Sequence, residues 1–359
     1  MRSALISSLL LACFFGCFDA VAADSDWVKL KNDSEPMETK ITKESASGLE
    51  VMDKSGVIQE YEFNRIEWVA YQQLPNSKKA MEALESRQFF LALQSLGRDK
   101  DAAQNSDKPY VKAYWDYYQA RVVFEATVDR KDLDDKAIST LKKVESLLSA
   151  FPEKHATSRL VPMAVLTLGD LYLATKETGK AEKSYTDLFN NHKAYRALAQ
   201  IGLARCQLRQ GKIPEAVKIL LKLAEMKQDF GPILDEVEAS LLEKGDHDNL
   251  VKIGDAFKSS KDGYTLLRAY EMAGIGSFYL NRYDPALENL LIALLFYSST
   301  RDPMVQEGYL CLVLTLKTLM ELNAADFSEK EYRPLLTSYV GKLDGITLKK
   351  YQDFKTIKK

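Results

Sequence analysis

The chain has 359 residues, which corresponds to about two or three domains of ordinary size. Hydrophobic residues make up 46% and charged residues 28%, a balance that is typical of globular proteins and excludes a disordered chain. The formal net charge of −2 excludes a strongly basic nucleic-acid-binding protein as a class. With only 3 His, the sequence offers little material for histidine catalysis or for a metal site.

Residues 1–22 have the pattern of a secretory signal peptide. They combine a positively charged start, an apolar stretch over residues 4–15 and a small-x-small cleavage pattern at Ala20-Val21-Ala22. We therefore expect an exported protein, periplasmic or secreted, whose mature chain begins at Ala23. A lipoprotein anchored through Cys17 is the alternative, because a small residue precedes that cysteine. A membrane contact is expected only in that case.

Residues 24–72 are predicted to form a small β module. Five short runs have strand character and are separated by turn residues. They are Val28–Leu30, Met37–Thr42, Leu49–Met52, Val57–Phe63 and Ile66–Tyr71. This meander predicts a small SH3-like or Sm-like barrel, since closure removes exposed strand edges; a loose pair of hairpins is the alternative. The module alternates Glu and Lys without an identifiable aromatic groove, which favours a spacer or docking role over peptide or RNA binding.

Residues 77–343, which follow a compact hinge, are predicted to form a helical repeat domain. In three places a small residue precedes an alanine by twelve residues, and together these residues let two helices approach closely. The pairs are Gly169 with Ala181, Ala204 with Ala216, and Gly274 with Ala286. The first two alanines are 35 residues apart and the last two are 70 apart, so a degenerate unit is expected between them, over residues 234–257. A polar basic tail, residues 344–359, ends the chain.

These motifs resemble the tetratricopeptide repeat (TPR) family. The residues that carry the resemblance are Leu168-Gly169, Tyr172, Ala181 and Tyr185; Ala204, Gly211 and Ala216; and Tyr270, Gly274, Tyr283, Ala286 and Ala293. The clear match covers residues 163–297, and the proline that ends the family's repeat is absent from the first two units. The resemblance implies a mainly α fold, a right-handed solenoid of helix hairpins whose concave face of first helices binds peptides or partner proteins. A non-repetitive helical bundle is the alternative.

The family geometry also implies which side chains line the concave face. They are Leu166, Asp170 and Leu173 in the first repeat; Ile201, Arg205, Leu208 and Arg209 in the second; and Arg268, Glu271, Ile275, Phe278 and Tyr279 in the third. The three arginines suggest an acidic or carboxylate-ended peptide partner, because guanidinium groups bind carboxylates in a bidentate manner. Internal pairing of these arginines with Asp170 and Glu271 is the alternative.

Catalytic motifs are missing from the sequence. Gly274-Ile275-Gly276 lacks the third glycine and the preceding strand of a dinucleotide fingerprint, and no P-loop, nucleophile elbow or zinc-protease helix is present. His155 and His192 follow predicted helix ends and are expected in surface loops. Cys206 and Cys311 are expected to be buried as small hydrophobic residues. We therefore predict no catalytic residue, cofactor, metal or nucleic acid, and a non-catalytic interaction scaffold of the cell envelope. The alternative is an exported enzyme or solute-binding protein with an unrecognised site in the groove.

Overall fold

The computed structural model of the protein describes residues 25–31, 33–45, 48–62, 65–129, 133–226, 231–299, 306–322, 334, 336–338 and 340. The predicted signal peptide, Cys17 and the basic tail lie outside the described residues. Within the part of the chain that is described, no helix is both long and apolar enough to cross a membrane. The chain divides into two compact units, Met1–Tyr195 and Arg196–Lys359, so a boundary falls inside the predicted repeat domain.

The first unit begins with a five-stranded antiparallel sheet, as the sequence predicts. Its strands are β1 (Asp26–Leu30), β2 (Met37–Glu44), β3 (Gly48–Met52), β4 (Ile58–Glu62) and β5 (Ile66–Ala70). The strand order is β4-β3-β2-β1-β5. β2 pairs with β1 through its first residues and with β3 through its later residues, where the register shifts between Ile41 and Lys43. No ladder joins β4 to β5 among the described residues, so hydrogen bonds there do not close the sheet into a barrel.

Helices form the rest of both units. In the first unit they are α1 (Ser77–Glu85), α2 (Phe89–Arg98), α3 (Lys100–Asn105), α4 (Pro109–Val128), α5 (Asp135–Lys154), α6 (Val161–Ala174) and α7 (Thr178–Asn191), followed by a 3-10 turn (Lys193–Tyr195). In the second unit they are α8 (Arg196–Arg209), α9 (Ile213–Glu225), α10 (Gly231–Lys244), α11 (His247–Phe257), α12 (Gly263–Tyr279), α13 (Tyr283–Ser299) and α14 (Gln306–Glu321).

Five of the described helix hairpins close through the same turn. In each turn, a residue one or two positions after the end of the first helix has a positive φ. These residues are Arg87, Lys176, Gly211, Gly245 and Asn281. In the α8–α9 turn, Gly211 N–H donates to the carbonyl of Leu208 at 3.0 Å and Lys212 N–H donates to that of Gln207 at 2.9 Å. The other four turns repeat this pair of hydrogen bonds, which is the Schellman arrangement that ends many helices.

The shared turn fixes the register of the repeats. The last four left-handed residues follow one another at intervals of 35, 34 and 36 residues, so the predicted period is confirmed and the degenerate unit is α10–α11. The same turn places α1–α2 in register with the others, which the alanine spacing alone does not reveal. Seven residues before each turn stand Ala80, Gly169, Ala204, Glu238 and Gly274; five residues after it stand Ala92, Ala181, Ala216, Leu250 and Ala286.

Small residues at these positions let the two helices of a hairpin meet. A Cβ atom on Gly169 would lie 2.6 Å from Cε1 of Tyr185, and a Cβ atom on Gly274 would lie 2.8 Å from Cγ of Leu290. Both distances are far below van der Waals contact, so a larger side chain at either position requires Tyr185 or Leu290 to shift. Four of the five residues that follow the turns are alanines, and all four are fully buried, as this packing requires. They are Ala92, Ala181, Ala216 and Ala286.

Aromatic side chains fill the core of the first unit. On α4, Tyr114, Tyr117 and Tyr118 are buried, and the rings of Tyr114 and Tyr118 lie 4.6 Å apart. Tyr71, just after β5, meets Tyr114 edge-on at 5.1 Å. The sheet and the helices of this unit therefore share one core. In the second unit Cys206 and Cys311 are buried, as predicted.

Candidate functional site

The first predicted repeat places its three site residues on α6, in the first unit. Leu166, Asp170 and Leu173 are all half-buried. Tyr185 of α7 donates its hydroxyl hydrogen to Oδ1 of Asp170 at 2.7 Å, so this carboxylate is used within the hairpin. The partner that this hydrogen bond gives Asp170 is a phenol from the same hairpin.

The second repeat places its site residues on α8, in the second unit. Ile201, Arg205 and Leu208 are half-buried, and Arg209 is exposed. Nε of Arg205 lies 2.9 Å from Oε1 of Glu236 on α10, and the two side chains are 27% and 36% exposed. Arg205 therefore bridges two successive first helices, and part of its charge is neutralised before any partner binds.

The third repeat differs most from the sequence expectation. Arg268, Glu271 and Ile275 of α12 are buried, while Phe278 and Tyr279 are half-buried. Glu271 and Ile275 are fully inaccessible to solvent. The expectation that these three residues line an open groove is therefore not met at this point of α12. Helical spacing puts them on one face, but that face is covered by packing.

Arg268 is enclosed by three carboxylates. Its Nε lies 2.7 Å from Oδ1 of Asp235, and its two terminal nitrogens donate to Glu238 and Glu271. Tyr297 of α13 adds a hydroxyl that donates to Oε2 of Glu271 at 2.9 Å. Burial by itself would lower the pKa of Arg268, but Glu238, Glu271 and Asp235 together raise it, so the guanidinium stays charged.

The repeat register explains why this cluster exists. Glu238 occupies the position that Gly169, Ala204 and Gly274 hold in the other hairpins, and it is only 3% exposed. A carboxylate buried there is costly unless it is paired and hydrogen-bonded. Arg268 from the next repeat supplies the positive charge that pairs with Glu238. The α10–α11 hairpin therefore departs from the small-residue pattern at a position where an ion pair replaces close helix contact. The sequence search for small residues passes over Glu238, and only the two-helix geometry shows its partner.

The exposed rim of the cluster carries Tyr264 and Asp235. Tyr264 donates its hydroxyl hydrogen to Oδ2 of Asp235 at 2.8 Å. Burial and the Asp235 carboxylate raise the pKa of Tyr264 to about 12. Further along α12, the ring of Tyr279 stacks on His247 with a centroid distance of 4.6 Å. These rings stand on helix faces and not on loops, so packing holds their orientations.

The arrangement fixes charges and presents apolar side chains, and it assembles no nucleophile with a base. Across the described residues, no group of three or more His, Cys, Asp or Glu side chains could hold a metal ion. One polar contact escapes the sequence reading: His155 is not a surface-loop residue, because its side chain is 7% exposed and its Nε2 lies 2.7 Å from Oδ2 of Asp116. Asp116 lies on α4, and no local sequence signal links it to His155.

The fold and this face define a helical-hairpin repeat protein with an N-terminal β-sheet. Residues 110–252 match the model of a family described as a tetratricopeptide repeat-like domain. The crystal structure of the apo form of RapI is similar in fold, with a TM-score of 0.51 at 10% sequence identity, over 76% of this chain and 74% of that chain. At that identity the likeness shows the fold alone. No curated protein matches the sequence. The chain therefore carries a tetratricopeptide repeat-like domain, as the resemblance of its motifs indicates.

Proposed function

We propose that the protein is a non-catalytic interaction scaffold that is exported to the cell envelope and binds a partner peptide or protein on the first helices of its repeats. The observation that carries this proposal is a set of half-buried apolar and aromatic side chains on those helices. They are Leu166, Leu173, Ile201, Leu208, Phe278 and Tyr279. Within each unit, apolar groups of this kind that keep access to solvent favour contact with a partner.

Ion pairs support this use of the face in the second unit. Arg205 ties α8 to α10 through Glu236, and Arg268 ties α10 to α12 through Asp235 and Glu238. These bridges hold successive first helices in one arrangement. A surface that is ordered before binding loses less conformational entropy when a partner docks, so it gains affinity from the same contacts.

The acidic partner predicted from sequence is the sharper form of the proposal. It rests on Arg209, the exposed arginine of the three. Arg205 contributes in part, because it is shared with Glu236. Arg268 does not contribute, because three carboxylates enclose it. An acidic side chain or chain end would therefore approach the C-terminal end of α8.

Site-specific crosslinking tests where the partner binds. A photo-crosslinking amino acid is placed at Leu208 on α8 or, as the control, at exposed Lys218 on α9, in the full exported protein. We expect covalent adducts with one discrete partner from position 208 and none of that adduct from position 218. Equal adducts from both positions would contradict binding on the first helices.

Charge reversal tests the chemistry of the partner. The Arg205→Glu and Arg209→Glu double variant should lose the adduct formed at position 208, whereas Lys218→Glu, a charge reversal on the second helix of the same hairpin, should keep it. Circular dichroism of each variant shows that the fold is retained. A folded double variant that still captures the same partner would contradict an acidic partner. Binding would then be attributed to the apolar side chains of the first helices.

Export has its own test. The intact mass of the protein recovered from the envelope should correspond to a chain that begins at Ala23. A diacylglyceryl mass on Cys17 would replace the soluble exported form with the lipid-anchored one.

A further inference from the structure

A buried arginine joins the β-sheet to the helices of the first unit. Arg159 lies in the connection between α5 and α6, and its side chain is 3% exposed. Its Nε lies 3.2 Å from Oε1 of Glu44, the last residue of β2, whose side chain is also 3% exposed. An ion pair removed from water to this extent is rare, because both charges lose their hydration.

Tyr71 adds a third segment to the same contact. It follows β5, it is buried, and its hydroxyl donates to Oε2 of Glu44. Its ring also contacts Tyr110 at 5.3 Å and Tyr114 at 5.1 Å on α4. The Glu44 carboxylate is thus held between a phenol at the end of the sheet and a guanidinium from the helical region.

Smaller contacts reinforce the same interface at α1. Glu85 accepts a hydrogen bond from Nε1 of Trp68 at 2.6 Å and from Nζ of Lys29 at 3.1 Å. At the N-terminal end of α1, Nζ of Lys78 lies 3.4 Å from the centre of the Trp27 ring. Four of these five residues remain at least partly accessible to solvent, so these contacts are weaker than the buried pair.

The connection that the sequence identifies as a hinge is held at both ends. Gln72 N–H donates to Oδ1 of Asp26 at 2.8 Å, and Nδ2 of Asn76 donates to Oδ1 of Asp99 at 2.7 Å. Leu74 between them is 1% exposed. A segment anchored in this way does not let the two parts swing relative to one another.

We propose that the β module is the N-terminal cap of the repeat stack, and that Arg159 fastens it there through Glu44 and Tyr71. The first hairpin of a stack has no preceding repeat to cover its apolar side, so a different element must cover it. A buried ion pair suits this task because it is neutralised in only one docked arrangement. The role goes beyond partner binding and does not depend on it.

Hydrogen exchange on the full mature chain tests the cap. The Arg159→Met variant leaves Glu44 buried without its guanidinium, so amides of β1, β2 and β5 should exchange about tenfold faster or more, relative to those of α7. The control is Lys29→Met, which removes the partly exposed charge from the same interface and should change that ratio by about twofold or less. The proposal is overturned if the two variants give the same ratio, or if Arg159→Met speeds exchange equally in the strands and in α7.

Two further variants keep the test decisive if Arg159→Met does not fold. Glu44→Gln keeps the side-chain shape and should loosen the strands selectively in the same way. The double variant of Glu44→Gln and Arg159→Met should be less loosened than Arg159→Met alone, or should fold where that single variant does not, because it buries no unpaired charge. Unchanged strand exchange in Glu44→Gln, or a double variant as impaired as the sum of both singles, would overturn the role of the pair.

Tyrosine ionisation gives an independent measurement. Burial raises the pKa values of Tyr71 and Tyr114 well above the ordinary 10.0, so neither phenol ionises near pH 10 in the wild type. Release of the cap exposes Tyr71, and the absorbance of ionised phenol should then show one more tyrosine titrating near pH 10 in Arg159→Met. Loss of the guanidinium cannot produce this change by itself, because Arg159 lowers the pKa of Tyr71. A titration identical to that of the wild type would count against release of the cap.

Discussion

Two buried arginines, one in each unit, differ in the parts of the fold that they connect. Arg159 lies 3.2 Å from the carboxylate of Glu44 and joins a strand to a helix connection far away in sequence. Arg268 meets three carboxylates and joins neighbouring repeats. The first pair balances its charge, while the second cluster carries excess negative charge if every carboxylate is ionised. An arginine thus positions a distinct module in one unit and compensates an irregular repeat in the other.

The largest expected effect comes from removing the guanidinium that meets three carboxylates. Arg268→Met leaves Glu238 and Glu271 buried without this guanidinium, so the free energy of unfolding should fall by about 3–5 kcal/mol. The matched control is Arg205→Met, whose ion pair is partly exposed and should contribute about 0–1 kcal/mol. Urea denaturation of each variant measures both values. Similar losses from the two variants would mean that burial does not distinguish the two arginines.

A second variant tests whether the stabilising effect of Arg268 depends on its pairing with Glu238. Glu238→Ala restores the small residue of the regular repeats. In that background Arg268→Met should cost about 1–3 kcal/mol less than it does in the wild type, because one buried carboxylate no longer needs a cation. A double-mutant cycle measured by urea denaturation gives this coupling. Additive losses would contradict the compensation and leave Arg268 serving only Glu271 and Asp235.

Helix packing should behave alike in both units, in contrast to the arginines. Ala216→Leu on α9 and Ala181→Leu on α7 each place a larger side chain at a fully buried hairpin contact. Each should lower the free energy of unfolding by about 1–3 kcal/mol through overpacking. Thermal melts check this against Lys218→Leu, an exposed change on α9 that should have little effect. A melt unchanged by Ala216→Leu would contradict the repeat register.

The smallest expected effect is a fall in the free energy of unfolding at alkaline pH. It arises from Tyr117 in the aromatic core of the first unit. Burial raises the pKa of Tyr117 to about 12 in the folded protein, whereas a tyrosine in the unfolded chain titrates near 10. The folded state therefore binds more protons above pH 10, and its stability falls as the pH rises from there. At pH 11 the loss attributable to Tyr117 is about 1 kcal/mol. Urea denaturation at pH 9 and pH 11 should show a smaller loss in Tyr117→Phe than in wild type; equal losses would contradict the shift.

Sequence reasoning is most accurate where the signal is local. Each predicted strand overlaps an observed one, because period-two spacing and turn residues are properties of neighbouring positions. The degenerate hairpin over α10–α11 is also where the alanine spacing predicts it. By contrast, the repeat search does not find α1–α2, because its turn at Arg87 lies 89 residues before the next such turn at Lys176 and so falls outside the 35-residue period.

The candidate site is predictable only in part, because burial of its charges depends on other helices. Helical spacing correctly places Arg205, Leu208 and Arg209 on an accessible part of α8. It does not show that Glu238 stands where a small residue is expected, and so it does not show that Arg268 is enclosed. The same limitation applies to His155 and Asp116, which meet only because α4 and α5 pack together.

The turn shared by the five hairpins also bears on the order in which the chain folds. Folding is faster when contacting residues are close in sequence. Each of these turns separates its two helices by only a few residues, so the hairpins can form from local contacts. The β module depends on distant ones, since Val28 lies opposite Val69 and Glu44 must find Arg159. Helical structure should therefore accumulate first during refolding, and closure of the sheet against it should set the slow phase.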